Sequence, residues 1–307
     1  MRTIHEAGYE TNAPLEIVNW TNEEGSRFAP AMLASGVFAG VFTPEFALSR
    51  QDREGKTYGN ELDRVGYRGS EKARSHKLGA MFELHIEQGP VLEDEGKTIG
   101  IVTGVQGMRW YEVTVLGQEA HTGATPMNRR KNALLGAARL IDAIETIACH
   151  FAPHAVATVG LIDNYPNSRN VIPGKVFFTV DLRHPEDSVL EQMEQKMQAV
   201  ILAILDPLKL SYNEHRVWIS PAVHFDPELI QCVRQAAEKT NFTTRDIVSG
   251  AGHDAAYIAR VAPTAMIFIP SLNGISHNEL ESATLEDCAA GTQVLLNAIL
   301  EFDRGFS

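Results

Sequence analysis

The sequence predicts an α/β protein in which one domain is discontinuous, its two parts flanking an inserted ferredoxin-like βαββαβ domain. A chain of 307 residues exceeds a comfortable single core, so two domains are expected. Beyond Met108 the hydrophobic period switches cleanly between two and about 3.6 residues, in the order strand, helix, strand, strand, helix, strand. An α/β rhythm is interrupted by this stretch and resumes after it.

Taken in order, residues 1–7 read as the end of a helix closed by Gly8, followed at once by an apolar strand at 15–20. The chain thus reads as entering an α/β unit part-way, with its first domain incomplete at the N-terminus. A strand at 80–86 follows a loop-rich stretch, and the pattern changes character near 104–107. Residues 109–116 alternate as a strand, and 131–149 form a helix with Leu134, Leu135, Ala138, Ile141, Ile144 and Ile147 at helical spacing. Strands at 155–162 and 175–181 are separated by the turn-rich NYPNSRNVIPG; a helix at 188–205 and a strand at 210–219 close the insert. Helix 227–239 opens with Asp226 as N-cap and Pro227 at its first position. Strand 264–269 and helix 285–302 finish the chain. The domains are accordingly placed at 1–106 with 217–307, and at 107–216.

Composition narrows the function. With 39 acidic against 27 basic side chains and a formal charge of -12, no basic block offers itself to nucleic acid or an anionic membrane. No stretch reaches the roughly 18 apolar residues of a membrane span. The three cysteines form no CxxC pair and read as reduced thiols. A soluble, cytoplasmic protein is the expectation.

Four polar constellations sit beside predicted strand ends, where open α/β sheets place ligands. In NEEGSRF, residues 22–28, Glu23 and Glu24 are either solvated loop charges or a division of labour. In the second case one carboxylate holds a divalent metal and its neighbour serves as general base. In FELHIEQGP, strand alternation puts Glu83, His85 and Glu87 on one face and Phe82, Leu84 and Ile86 on the other. His85 is then a core histidine or a ligand. In GISHNELE, His277 is a ligand oriented by Glu279 or Glu281, or part of a helix-capping Ser-His-Asn. His253 and Asp254 of GAGHDAAY start a helix, either as support for the site or merely as its cap. Inside the insert, AHTGATPM carries His121, while Asn170 and Arg183 follow in NSRNVIPG and DLRHP; each alone is a loop residue or an ion-pair partner as readily as a binding residue.

Together the strings are specific. NEEGSRF with APAMLASGVFAG, ELHIEQGPVLE, GQEAHTGATPM, NVIPG with DLRH, GAGHDA and ISHNE occur in an order that resembles the N-carbamoyl-L-amino-acid hydrolases, β-ureidopropionases and allantoate amidohydrolases of the two-metal aminoacylase and exopeptidase superfamily. The resemblance spans the chain and implies a two-metal exopeptidase-like catalytic domain with a lid domain that also builds a homodimer. It implies Glu23 as catalytic acid/base, Glu24 and His277 as ligands of one metal, and His85 as ligand of the other. Gln88, Asn170 and Arg183 correspond to substrate-binding residues, the last two taking the substrate carboxylate. His121 corresponds to a histidine reaching the partner subunit's active site. Two divalent ions, zinc, manganese, cobalt or nickel, are implied for the complete family.

The reaction implied is release of an L-amino acid, ammonia and carbon dioxide from an N-carbamoyl-L-amino acid. The family's upstream GSHxD-type histidine and its bridging aspartate are not in this sequence, so weak or absent metal binding is expected of this chain. Allantoate amidohydrolase and β-ureidopropionase stand as alternatives of the same class. A non-catalytic dimerising remnant stands as the alternative from another class.

Overall fold

The computed structural model describes residues 1–74 and 76–305. The chain divides into two compact units, Met1–Val105 with His224–Ser307, and Gln106–Val223.

The large unit begins with helix α1 (Arg2–Glu6), then α2 (Leu33–Phe38), α3 (Pro44–Leu48) and α4 (Tyr58–Val65). Strand β1 (Met81–Ile86), the short helix α5 (Val91–Asp94) and strand β2 (Ile99–Val105) follow. The strand expected at 15–20 does not form: that stretch pairs with no strand among the described residues, and Ile17 and Val18 are 81% and 47% exposed. Apolar content alone does not make a strand, because the ladder hydrogen bonds need a neighbour. The segment is instead fastened just before it, where the buried Asp303 accepts the backbone N–H groups of Asn12 and Ala13 at 3.0 and 2.9 Å.

The small unit carries β3 (Gly107–Leu116), β4 (Ala120–His121), α6 (Ala133–His150), β5 (Val156–Thr158), β6 (Ile162–Tyr165), β7 (Val171–Ile172), β8 (Lys175–His184), α7 (Asp187–Leu205) and β9 (Ser211–Ser220). Its sheet order is β5-β8-β3-β9, antiparallel in every pair. Counting β3, β5, β8 and β9 as first to fourth, the order is second, third, first, fourth, that of a ferredoxin-like sandwich. The single strand expected at 155–162 is two short ones, β5 and β6, both paired with β8 and separated by Gly160. Alternation explains the sheet. Tyr111, Val113 and Val115 of β3 and Val176, Phe178, Val180 and Leu182 of β8 face helices α6 and α7, and all are buried. Burying each such side chain stabilises by about 1.5–3 kcal/mol.

The chain returns to the large unit through β10 (Val223–His224), α8 (Pro227–Lys239), β11 (Thr244–Ser249), α9 (Asp254–Ile258), β12 (Thr264–Ile269) and α10 (Leu285–Arg304). β1 and β12 run parallel, β12 and β2 antiparallel, and β11 parallel to β2. Asp226 caps α8 as expected, its carboxylate accepting the N–H groups of Glu228 and Leu229. Helices α8 and α10 cover one face of the sheet, packing Leu229, Val233 and Val294 on Ile99, Ile101, Ile267 and Ile269. Gly291 makes the close approach possible: a Cβ there would lie 2.6 Å from Ile269 Cγ2 and 2.7 Å from Leu84 Cδ1. The opposite face of β1 carries Glu83 and His85.

Candidate active site

The loop bearing Glu23 and Glu24 is shaped by its own backbone. Asn22 takes a left-handed conformation, φ 62°, and its side-chain amide donates to the carbonyls of Phe28 and Pro30 at 2.7 and 3.3 Å. Gly25, φ 66°, passes so close to Ala31 that a Cβ would meet its backbone at 2.5 Å. Arg27 ties the far side of the loop to Asp52 and Glu61 at 2.9 and 2.8 Å. The loop is thus fixed while the Glu24 carboxylate stays exposed and Glu23 is half-buried.

Strand β1 delivers His85. Its Nδ1 lies 2.8 Å from the Ile86 carbonyl, which can only accept; the proton therefore sits on Nδ1 and the Nε2 lone pair is left to bind a ligand. The ring packs against that of His253, centroids 4.6 Å apart. His253 is buried, its Nε2 2.7 Å from Ser249 Oγ, and burial with the nearby His85 pushes its pKa down to about 3, so it is neutral. Its Nδ1 has no hydrogen-bond partner and faces Glu83 Oε1 at 3.8 Å. Glu83 is pushed up to about 7, by burial first and then by the Asp254 carboxylate; Asp254 is pushed up to about 6, chiefly by burial. Glu87, predicted on the same face, is used differently. Buried, it accepts the N–H groups of Val91 and Leu92 at 2.8 and 2.7 Å and caps α5.

His277 arrives on the loop before α10 in a left-handed conformation, φ 53°, with its N–H donated to Glu281 Oε2 at 3.0 Å. Glu281, one of the two acids considered for orienting the ring, thus meets the backbone of His277. His277 Nε2 lies 3.4 Å from Glu24 Oε2. Gln88, also left-handed at φ 59°, donates its backbone N–H to Ser271 Oγ at 2.9 Å and its side-chain amide to Ser276 Oγ at 3.1 Å. Its buried Oε1 has no partner, which leaves an acceptor available beside His277.

These groups share one field. Glu23 is raised above the usual carboxylate range by burial, then by the Glu24 charge, and is drawn back by His85 and His277. Glu23, Glu24, His85 and His277, scattered in sequence, therefore converge in the large unit, with Gln88 beside them through Ser276.

The donors suit a divalent cation in type. Two atoms each about 2.0–2.1 Å from a tetrahedral ion stand about 3.4 Å apart, the separation found between Glu24 and His277. His85 presents an unprotonated nitrogen. No group of three or more His, Cys, Asp or Glu side chains among the described residues is arranged to hold a metal ion.

In the small unit, His121 and Asn170 are brought together by the two-stranded ribbon β4-β7, in which His121 pairs with Val171 and the Thr122 N–H donates to the Asn170 carbonyl at 3.0 Å. His121 Nδ1 accepts the N–H groups of Gly123 and Ala124, each at 3.1 Å, so the exposed Nε2 carries the proton and is a donor. The Asn170 side chain accepts Ser168 Oγ at 3.0 Å. Arg183 lies on β8 of the five-stranded sheet, its Nε and Nη2 paired with Asp181, the latter at 2.8 Å.

Sequence reasoning missed Ser35 and Ser249, buried hydroxyls that bind Asp254 and His253. Ser249, four residues before His253, had a spacing that hints at contact; Ser35 gave no signal.

The family model of peptidase family M20/M25/M40 matches residues 1–301. An N-carbamoyl-L-amino-acid amidohydrolase of Rhizobium meliloti is 50% identical over 301 residues, covering 98% of this chain and 72% of that protein. The allantoate amidohydrolase of Escherichia coli K12 is 34% identical over 288 residues, covering 92% and 70%. The crystal structure of an amidase of the hydantoinase/carbamoylase family from Burkholderia multivorans superposes with TM-score 0.94 at 56% identity, covering 98% of this chain and 73% of that one. The chain belongs to peptidase family M20/M25/M40. Within that family it is a hydrolase of the amidohydrolase kind, and family amidohydrolases generally depend on divalent metal ions.

Proposed function

We propose that this chain hydrolyses the carbamoyl C–N bond of N-carbamoyl-L-amino acids, giving the L-amino acid, ammonia and carbon dioxide. The observation that carries the reading is the convergence of Glu24 and His277 at 3.4 Å beside a half-buried Glu23 whose affinity for protons is raised. Relatives named N-carbamoyl-L-amino-acid amidohydrolase support the substrate class.

In this reading Glu24 and His277 would contribute to holding one divalent ion and the Nε2 of His85 to holding another; zinc, manganese, cobalt and nickel all suit such donors. When bound, such ions supply Lewis acidity and lower the pKa of water. Glu23, raised above the usual carboxylate range by burial and by the Glu24 charge, is the group to accept a proton from water and return it to the leaving nitrogen. In a dimer, His121 of one protomer would offer an Nε2–H donor to the oxyanion in its partner's site, fixed in that tautomer by two backbone N–H groups. Arg183, oriented by Asp181, and Asn170 take the substrate carboxylate, for which a planar guanidinium is suited, and the free acceptor of Gln88 takes a carbamoyl N–H.

A homodimer through the small unit completes the proposal. Support comes from the exposed side of its sheet, where Trp110 pairs with Trp218 across the β3-β9 ladder, both about 40% exposed. We place the protein in the cytoplasm on its three unpaired cysteines.

The test is hydrolysis of N-carbamoyl-L-amino acids, N-carbamoyl-β-alanine and allantoate side by side, with each metal in excess. Expected are preference for the first, abolition by a chelator, and a loss in kcat of about 10²–10⁴ in Glu23→Gln. Preference for allantoate would replace the substrate assignment, and an undiminished Glu23→Gln would remove the assigned base.

A further inference from the structure

Two functional parts of the large unit, the loop of Glu23 and Glu24 and the strand of His85, have no direct backbone pairing with each other, and β1 is hydrogen-bonded in the sheet to β12. Ligand side chains must nevertheless be held within about 0.5 Å of a working geometry. A continuous polar path connects the two. Glu83, two residues before His85, accepts the Ala255 N–H of α9 at 3.0 Å. Asp254, the preceding residue, accepts the hydroxyl of Ser35 on α2 in a contact buried from solvent. Ser35 also reaches the Met32 carbonyl at 3.1 Å, and the N–H groups of Met32 and Leu33 donate to the carbonyls of Glu23 and Asn22 at 2.6 and 3.4 Å.

Packing supports the path. Gly36 lets α2 approach so closely that a Cβ there would lie 2.4 Å from the Phe42 ring and 3.3 Å from Tyr257 of α9. Phe42 and Tyr257 meet edge to face at 5.8 Å. His253 at the start of α9 lies against the His85 ring itself, fixed from behind by Ser249.

We propose that α9 is a bracket which sets the spacing between the Glu23–Glu24 loop and His85, with Asp254, Ser35 and Glu83 as positioning residues acting through hydrogen bonds. The inference rests on the reading of Glu23, Glu24 and His85 as site residues. Its mechanical content does not need metal or substrate. Glu83 and Asp254 touch neither the reacting atoms nor the ligand nitrogens; they hold the backbone from which those groups project. Losing the hydroxyl leaves the buried Asp254 carboxylate without that donor, whereas losing the carboxylate lets the Ser35 proton turn to the Met32 carbonyl, so either loss uncouples α9 from α2.

The experiment is hydrogen–deuterium exchange of the metal-free full chain, with zinc affinity measured on the same proteins. Ser35→Ala and Asp254→Ala are each expected to speed exchange in residues 22–33 at least tenfold, and the double variant no further. Asp254→Asn, which keeps an acceptor for the hydroxyl, is expected to stay within twofold of the unsubstituted chain. Peptides from β2 and β11 serve as controls and should not change. Zinc affinity should fall at least tenfold in both alanine variants and return in Asp254→Asn. Unchanged exchange at 22–33, equal loosening of β2 and β11, or additive effects in the double variant would each overturn the bracket. Failure of the unsubstituted chain to bind zinc would count against the functional reading alone, since the exchange pattern is read without metal.

Discussion

The two units hold their candidate residues by opposite means. In the small unit, His121 is fixed by the N–H groups two and three residues ahead of it, and Arg183 by a carboxylate two residues behind. In the large unit, Glu24 meets His277 across the length of the chain, and Asp254 meets Ser35 from another distant segment. Local fixation survives damage elsewhere in the fold; fixation at long range makes the site as stable as the packing around it. The small unit therefore carries its candidate residues on a self-sufficient sandwich, whereas the large unit's candidate site is a property of its tertiary structure.

The largest expected effect tests the sandwich. Phe178 is fully buried beneath α6 and α7, and Phe178→Ala should cost about 3–5 kcal/mol of small-unit stability by urea unfolding. Loss of the Glu24 and His277 neighbourhood in the same variant would break the contrast, since that neighbourhood belongs to the other unit.

Next comes a pH effect confined to the large unit. The folded pKa of Asp254, about 6, lies above its ordinary 3.8, and that of Glu83, about 7, lies above 4.5. The folded state thus holds protons that the unfolded state releases, so this contribution is fully present below about pH 4 and is lost as pH rises through 6 to 7. On the order of 2 kcal/mol should disappear between about pH 5 and about pH 8 with a chelator present. Asp254→Asn, which cannot titrate, should flatten that slope; an identical slope would mean the carboxyl is not desolvated as described.

The smallest effect concerns association. Trp218→Glu on the exposed side of β9 should weaken a dimer at least tenfold by light scattering, about 1.4 kcal/mol, without lowering the melting temperature. A dimer that tolerates the charge would move the interface elsewhere.

The same contrast decides what was legible in the sequence. The ferredoxin-like order could be read because β3 and β8 alternate over ten residues each and both pair antiparallel with neighbours inside the insert. Residues 15–20 read as a strand for the same apolar content, but without a paired neighbour among the described residues they remain irregular. Strand β2 escaped notice for the reverse reason: almost every residue is buried, so no period-two pattern exists. At the site, motif strings pointed to Glu23, Glu24, His85 and His277, and alternation put Glu83 on the face of His85. Nothing in the string could reveal that Glu87 caps α5 or that Ser35 serves Asp254, because those partners are set by the approach of elements distant in sequence or by the turn that follows β1.

Strand β1 is two-sided in a demanding way: Phe82, Leu84 and Ile86 are pressed onto α10, and Glu83 and His85 point away from it. A slip of a single residue against β12 would exchange the faces, burying an imidazole under α10 and presenting isoleucine to any incoming ion. Six parallel pairs from Met81 with Thr264 to Ile86 with Ile269, extended by the Glu87 N–H to the Ile269 carbonyl at 2.9 Å, forbid that error. The ladder between these two strands is thus a gauge block: the chemical identity of the cavity wall is decided by counting along it.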